Sequence, residues 1–251
     1  MKTILAAVIM VGISVNGHAQ IAGPHRVSAP PHKFTWDNLL AASIKLQEHY
    51  NLEANVDSYM QRYQADTWNH VRNDEFELAA QRQRSLERFR RHVEEFSLDR
   101  NFVINTWMEL GNYNFETESF PILRMGDGYH YSKYLYSKGS FPREFELYLT
   151  NHDLLASLPM APQEARVFLQ HRKDSKGNVN RRLDVKLYIR IVRLRRPTKD
   201  ELMGEVQLAR FYRNEKLNLV LRDITKPQPL ATNEGVVSTA VSESSVKADE
   251  E

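Results

Sequence analysis

The chain has 251 residues, of which 26% are charged and 41% hydrophobic, ordinary proportions for a globular protein. It contains no cysteine, which excludes disulfides, cysteine nucleophiles, thiolate zinc sites and iron–sulfur clusters. Small secreted eukaryotic domains usually carry disulfides, so a cysteine-free chain favours a bacterial protein. The formal net charge is only +2, so a strongly charged surface requires a local concentration of one sign.

The first 19 residues have the three parts of a cleavable secretory signal peptide. Lys2 supplies a positive charge, residues 4–15 form an apolar run, and Gly17 and Ala19 are the small residues that precede cleavage after Ala19. The apolar run is shorter than the roughly 20 residues that a membrane-spanning helix needs. We therefore expect a periplasmic or secreted protein whose mature chain has no transmembrane segment.

Helical patterns dominate the first part of the mature chain. Residues 20–34 contain glycine and several prolines and are predicted to form a flexible leader. Helices are predicted from Thr35, a good N-cap residue, to about residue 50, and again over 56–64. The longest helix is predicted over 73–96, with Asn73 as its cap.

Strand patterns follow after residue 97. They predict strands over 102–110, 113–116, 120–125 and 141–150, with a hairpin turn at Gly111-Asn112 between the first two. A helix near 162–172 opens with Pro162. The clearest alternation of apolar residues begins at Leu183 and shifts its phase by one residue near Ile191, which predicts a β-bulge there.

The end of the chain holds two more predicted strands, over 205–213 and 217–223, before its composition changes. Residues 225–251 carry two lysines against five acidic residues, a net charge of −3, and have no aromatic residue. We predict a disordered acidic tail over 224–251. Together, these helix and strand patterns predict an α+β fold in a single domain over 35–223, with N-terminal helices packed on a mainly antiparallel β-sheet and one inserted helix.

Motifs for catalysis give little guidance. The sequence has no H-E-x-x-H, no G-x-S-x-G, no Walker phosphate loop and no G-x-G-x-x-G, so no cofactor and no metal site are predicted. The most site-like stretch is 126–131, where Asp127 and His130 accompany a glycine turn. A hydrolase with a site assembled around these two residues is the alternative function. A polar turn that leads into an aromatic strand explains the same residues without a catalytic role.

A concentration of cations is the strongest functional candidate. Residues 171–213 hold thirteen Lys or Arg against five Asp or Glu, a net charge of +8. The predicted binding residues are Lys186, Arg190, Arg193, Arg195 and Arg196. An acidic protein or an anionic envelope surface suits such a patch better than nucleic acid, which an exported protein rarely meets. Two other interpretations are that the cations protect an exposed strand edge from aggregation, or that the acidic tail folds onto them.

Six segments between residues 35 and 170 together resemble an uncharacterised family of exported bacterial proteins, a domain of unknown function. They are TWDNLL, VDSYM, NDEFE, GNYNFETESF, FELYL and LPMAPQEARVFL. This resemblance implies an exported protein without an assigned activity and carries no functional residue. We predict a non-enzymatic periplasmic or secreted binding or envelope accessory protein that uses a basic β-strand surface. A purely structural envelope component is a third interpretation.

Overall fold

The computed structural model describes residues 29–126, 128–136, 139–196, 200–213 and 217–227. The predicted signal peptide lies outside the described residues, and so do most of the predicted leader and most of the predicted tail. Asp127, one of the two candidate catalytic residues, also lies outside them.

Five α-helices form in the described part of the chain. They are α1 (Trp36–Leu46), α2 (Val56–Tyr63), α3 (Ala65–Val71), α4 (Glu75–Glu95) and α5 (Pro162–His171). Thr35 caps α1 as predicted, because its side-chain oxygen accepts a hydrogen bond from the Asn38 N–H. The cap of α4 is Asp74 rather than the predicted Asn73. The Asp74 carboxylate accepts hydrogen bonds from two backbone N–H groups of the first turn, where an acidic residue also complements the helix dipole.

Nine β-strands form in the same residues, and seven of them make one sheet. They are β1 (His32–Lys33), β2 (Phe102–Glu109), β3 (Ser119–Pro121), β4 (His130–Tyr134), β5 (Glu144–Leu149), β6 (Ser157–Pro159), β7 (Arg182–Arg196), β8 (Glu201–Tyr212) and β9 (Val220–Thr225). The sheet order is β1-β2-β7-β8-β5-β4, and β9 also pairs with β8, while β3 and β6 pair separately. Only the β1–β2 and β5–β8 pairs in this sheet are parallel. The predicted α+β fold, with a mainly antiparallel sheet, is confirmed.

The longest strand, β7, alternates as the sequence predicts. Val185, Leu187 and Ile189 are fully buried, whereas the side chains between them are exposed or half-buried. The register between β7 and β8 shifts between Ile191 and Arg193, which confirms the predicted bulge. Gly204 lies opposite this point, and a Cβ atom there would stand 2.5 Å from Cγ2 of Ile189. A larger residue would therefore push the two strands apart.

The hairpin predicted at Gly111-Asn112 is wrong. The Gly111 N–H donates to the Pro121 carbonyl at 2.7 Å, so the chain returns to β2 only near residue 121. The loop between them is held by side chains. Asn114 accepts two hydrogen bonds from backbone N–H groups of its own turn, and the Tyr113 hydroxyl donates to the Met160 carbonyl at 2.7 Å. An alternating pattern does not reveal such bonds.

Strands β1 and β9 extend beyond the predicted domain bounds of 35 and 223. The His32 N–H donates to the Asn101 carbonyl at 2.8 Å, and the His32 ring stacks on Phe96 at 4.3 Å between centroids. At the other end of the chain, Ile224 pairs with Ala209 of β8. The described parts of the predicted leader and tail thus contribute strands to the sheet.

Helices cover one face of the sheet. The Trp36 ring of α1 lies 5.7 Å from the Phe145 ring of β5, and its indole N–H donates to the Pro142 carbonyl at 3.1 Å. Helices α2 and α4 meet through Tyr59 and Phe89, whose rings stack at 4.5 Å. Burial of these apolar side chains is the main source of stability, at roughly 25 cal/mol per Å² removed from water.

Candidate ligand-binding face

The open face is the surface of the seven-stranded sheet that points away from α1, α2 and α4. The β7 residues on it are exposed or half-buried, in contrast to the fully buried Val185 and Leu187 on the helical side. Strand register assigns to it the following side chains of β2, β7 and β8: Asn105, Trp107, Arg182, Asp184, Lys186, Tyr188, Arg190, Glu205, Arg210 and Tyr212. Cations, carboxylates and aromatic rings therefore lie side by side on this face.

Three cations of β7 lie over aromatic rings. The distances from cation to ring centroid are 4.5 Å for Arg182 over Trp107, 5.5 Å for Lys186 over Tyr212 and 3.9 Å for Arg195 over Tyr148. Such a contact contributes roughly 0.5–1 kcal/mol at an exposed site. It fixes the direction of the cation while leaving N–H donors at its edge for another molecule. The rings belong to three different strands, so the sequence pattern cannot show the pairs.

The C-terminal end of β7 uses its cations internally. The Glu201 side chain is only 8% exposed, and its carboxylate lies 3.2 Å from Arg195 and 3.8 Å from Arg196. An unpaired carboxylate at such a depth would cost several kcal/mol. Arg195 and Arg196, two of the predicted binding residues, therefore compensate a buried charge.

Arg190 and Arg193 are more accessible. Arg190 is exposed and faces Glu205 across the strands, and the Glu205 carboxylate also binds Lys226 Nζ at 2.5 Å. The hydrogen bond from Lys226 lowers the pKa of Glu205 and keeps it ionised. Arg193 is exposed and makes a long hydrogen bond of 3.4 Å to the Leu194 carbonyl. Much of the Arg193 charge is therefore open to a partner.

Lys186 tests the interpretation that the cations only protect a strand edge. Residues 184–189 of β7 pair with β2 on one side and with β8 on the other. Lys186 is thus on a central segment, and edge protection is wrong for it. Among the described strands, residues 190–196 pair with β8 alone, so Arg190 and Arg193 do lie along an edge.

His130 lies exposed on β4, at the border of the sheet. Its Nδ1 atom is 3.0 Å from the Gly128 carbonyl oxygen. A backbone carbonyl can orient the imidazole but cannot exchange a proton with it. Asp127 lies outside the described residues, and among those residues no acidic side chain is hydrogen-bonded to His130.

Tyr148 brings His130 and the basic strand together. The His130 ring lies 4.8 Å from the Tyr148 ring, which also carries Arg195. The Tyr148 hydroxyl donates to Glu146 at 2.6 Å, and this hydrogen bond raises the pKa of Tyr148. The two candidate sites that the sequence suggested separately therefore meet at one aromatic residue on the same surface.

Sequence reasoning missed a second feature, the cationic cleft, at the N-terminal end of β7. This cleft of about 750 Å³ is lined by His171, Arg172, Lys173, Asp174, Asn180, Arg182, Asp184, Tyr212 and Arg213. It lies where the end of α5, the following loop, the start of β7 and the end of β8 meet. The residues belong to the basic segment that the sequence shows, but only the pairing of β7 with β8 places Arg213 beside Arg182.

Within the described ranges, no group of three or more His, Asp or Glu side chains could hold a metal ion. No helix in this part of the chain is long and apolar enough to cross a bilayer.

Comparison with known proteins gives a family match for part of the chain. Residues 51–171 match the model of a family described as Domain of unknown function (DUF4852). The resemblance to an uncharacterised family is therefore confirmed for these residues, and the family description contains nothing about export. No curated protein and no solved structure matches the chain. Strands β7 and β8, which form the middle of the open face, lie beyond the matched segment.

Proposed function

We propose that this protein is an exported, non-enzymatic binding protein that holds an acidic protein partner on the open face of its sheet. The observation that carries the proposal is the pair of β7 cations, Arg182 and Lys186, that lie over aromatic rings on the open face. Arg and aromatic residues are enriched where protein partners bind, whereas cations that serve only solubility need no ring beneath them.

The stacked cations favour binding for an energetic reason. A free arginine or lysine side chain loses conformational freedom when a partner immobilises it, at about 0.5–1.5 kcal/mol for each side chain. Stacking on Trp107 or Tyr212 restricts Arg182 or Lys186 before the partner arrives. The surface is thereby prepared for acidic groups.

The shape of the open face favours a protein as the partner. A strand rises about 3.3 Å per residue, so residues 186–193 span roughly 25 Å of exposed sheet. This length is comparable to the width of a standard protein–protein interface. An anionic membrane is the other envelope surface that such a patch would fit.

Export is the second part of the proposal, and it is supported by the pattern of residues 1–19. We expect the protein purified from a periplasmic or culture fraction to begin at Gln20, after cleavage behind Ala19. Intact-mass measurement checks this. A cytoplasmic protein that retains Met1 or Lys2 would contradict export. It would not contradict binding at the open face, which has its own test.

The binding test removes the cations that are not committed to a buried carboxylate. We expect the variant Lys186→Gln/Arg190→Gln/Arg193→Gln to bind its partner at least about tenfold more weakly, a change of roughly 1.4 kcal/mol. Arg195 and Arg196 stay in place because they pair with Glu201. The measurement is affinity capture from native envelope extract with mass spectrometry, followed by titration of the captured protein.

The matched control is Arg84→Gln/Arg88→Gln/Arg91→Gln. It removes the same number of positive charges from the exposed surface of α4, on the helical side of the molecule. A specific partner retained by the control and lost by the open-face variant supports the proposal. Equal capture of the partner by the open-face variant and the control would contradict the proposal. Binding to phosphatidylglycerol vesicles that only the open-face variant loses would assign the surface to a membrane instead.

A further inference from the structure

The cationic cleft differs in kind from the flat open face, because it is concave. Its volume of about 750 Å³ lies in the range of small-molecule sites, about 300–1,000 Å³. Its lining is mostly charged and amide side chains, together with the Tyr212 ring and the His171 imidazole. A hydrophilic ligand suits such a wall better than an apolar one.

Arg172 fixes the framework of the cleft. Its guanidinium donates to the carbonyl oxygens of Asn180 at 2.6 Å and of Arg213 at 3.3 Å, and also to the carbonyl of Arg182. These bonds join the end of α5 to the start of β7 and the end of β8. The three carbonyl groups thereby fix the position of the side chain in the wall of the cleft.

Asp174 is occupied by its own loop. Its carboxylate accepts hydrogen bonds from the backbone N–H groups of Lys176 and Asn178, both at 2.8 Å, and from the Asn178 amide at 3.1 Å. The bonds from Asn178 contribute most to lowering the pKa of Asp174. Gly177 closes the turn at φ +87°, a conformation that favours glycine. The loop is therefore preorganised, and Asp174 forms no ion pair with a described cation across the cleft.

Three cations of the cleft have no ion pair with any described residue. They are Lys173, Arg182 and Arg213, and Arg182 is oriented by Trp107 instead. Four Lys or Arg and two Asp line the cleft, which gives a formal charge of +2 with His171 neutral. A phosphate monoester carries about −1.5 to −2 at neutral pH and matches this excess, whereas one carboxylate would leave part of it uncompensated.

Asp184 supplies the second half of a recognition site. It is the strand partner of Trp107 on one side and of Tyr212 on the other, so this carboxylate is flanked by two rings. An ionised carboxylate accepts hydrogen bonds from hydroxyl groups. Beside the cations, Asp184 therefore favours a ligand with hydroxyl groups next to its phosphate and disfavours bare phosphate.

We propose that the cationic cleft binds a phosphorylated sugar or polyol, with the phosphate among Lys173, Arg182 and Arg213 and a hydroxyl group on Asp184. Arginine suits this role because its fork of N–H donors matches the oxygens of a phosphate. The same chemistry occurs in free sugar phosphates and in the headgroups of phosphorylated lipids. The inference does not depend on the proposed function, whose test changes three other residues.

Calorimetric titration of the purified full chain tests the inference with glucose 6-phosphate, glucose and inorganic phosphate. We expect glucose 6-phosphate to bind at least tenfold more tightly than either of the other two. Arg213→Gln should weaken glucose 6-phosphate and inorganic phosphate at least tenfold. Asp184→Asn should weaken glucose 6-phosphate relative to inorganic phosphate, which should bind as tightly or more tightly, because the change replaces an ionised hydroxyl acceptor by a neutral amide and removes a negative charge that repels phosphate.

The control variant is Arg88→Gln on α4, which should bind all three ligands as the unmodified protein does. Circular dichroism and thermal unfolding of each variant separate loss of binding from loss of folding. Co-sedimentation with phosphatidylcholine vesicles that contain phosphatidylinositol 4-phosphate identifies the source. Vesicle binding that Arg213→Gln abolishes supports a lipid headgroup, and binding of the soluble ligand alone supports a free sugar phosphate.

Three results would overturn the inference. They are no binding of either phosphorylated probe, a glucose 6-phosphate affinity no higher than that of inorganic phosphate, or affinities that Arg213→Gln leaves unchanged in a folded protein. Failure here together with loss of the protein partner in the Lys186/Arg190/Arg193 variant would leave the proposed function intact. Binding of glucose 6-phosphate in the cleft, together with equal capture of partners by the open-face variant and its control, would leave a small-molecule site on a protein without the proposed interface.

Discussion

The two ends of β7 both carry cations, but the neighbouring strand β8 gives them different partners. At the C-terminal end, β8 offers Glu201 to two arginines. At the N-terminal end it offers Tyr212, and Arg182 lies over Trp107 of β2. A count of positive residues therefore does not measure the charge that is available to a ligand. What decides it is the position of the carboxylates on the adjacent strand.

Alanine substitution at each end gives the largest expected contrast. Arg195→Ala removes the nearer partner of the buried Glu201 carboxylate and also the contact with Tyr148. Breaking a buried pair costs about 3–5 kcal/mol, and the partial exposure of Arg195 reduces this to about 2–3 kcal/mol of lost unfolding free energy. Arg213→Ala, at an exposed position of the cleft, should change stability by less than about 0.5 kcal/mol.

Urea denaturation of the two variants, side by side with the unmodified protein, measures the contrast. A second change tests the cause of this contrast. Glu201→Gln in the Arg195→Ala background removes the carboxylate that has lost its nearer partner, and it should recover part of the lost stability. Equal destabilisation by Arg195→Ala and Arg213→Ala would mean that the two ends do not differ as their ion pairs indicate.

Asp200, at the same end as Glu201, gives a smaller and pH-dependent effect. Burial raises the pKa of Asp200 to about 6, above the value of about 3.9 for an unfolded chain. The folded state therefore binds this proton more tightly, and the resulting stability, complete below about pH 4, is lost as the pH rises to 6. Since Asp200 is only half-buried, we expect Asp200→Asn to be more stable by about 1–2 kcal/mol at pH 7.

Denaturation between pH 4 and pH 8 checks this sign. The gain from Asp200→Asn should grow as the pH rises and be smallest at pH 4. Asparagine tolerates the backbone of this position, where φ is +52°. The exposed Asp66 provides the control, because Asp66→Asn removes a carboxylate that is not buried. A gain that is the same at pH 4 and pH 7 would exclude burial of an ionised Asp200 as the cause.

Sequence patterns predicted the fold where one physical rule dominated. The α4 helix and the β7 strand have long apolar periodicities, and the phase shift near Ile191 marked the bulge. Prediction failed where a few specific contacts override the pattern, as at Tyr113 and Asn114. The last strand was predicted to start at residue 217, but Leu217 has a φ of +54°, which is not an extended conformation, and β9 begins at Val220.

The candidate site was likewise predicted in part and missed in part. The basic character of residues 186–196 could be read from the sequence, because successive β-strand side chains alternate between two faces. Which cations are compensated could not, because Arg195 finds Glu201 through a strand pair. The cationic cleft was missed because Lys173, Arg182 and Arg213 converge only when the end of α5 docks against β7 and β8.

The strand order also constrains how the protein assembles. Strands β2 and β5 each lack one neighbour until β7 and β8, which come later in the chain, insert between them. Pairing of segments far apart in sequence is slow compared with local helix formation. During synthesis from the N-terminus, helices α1 to α4 can form early, whereas the sheet closes only after Tyr212 has emerged. Until then β2 and β5 present open hydrogen-bonding edges, the part of the nascent chain most exposed to wrong pairing.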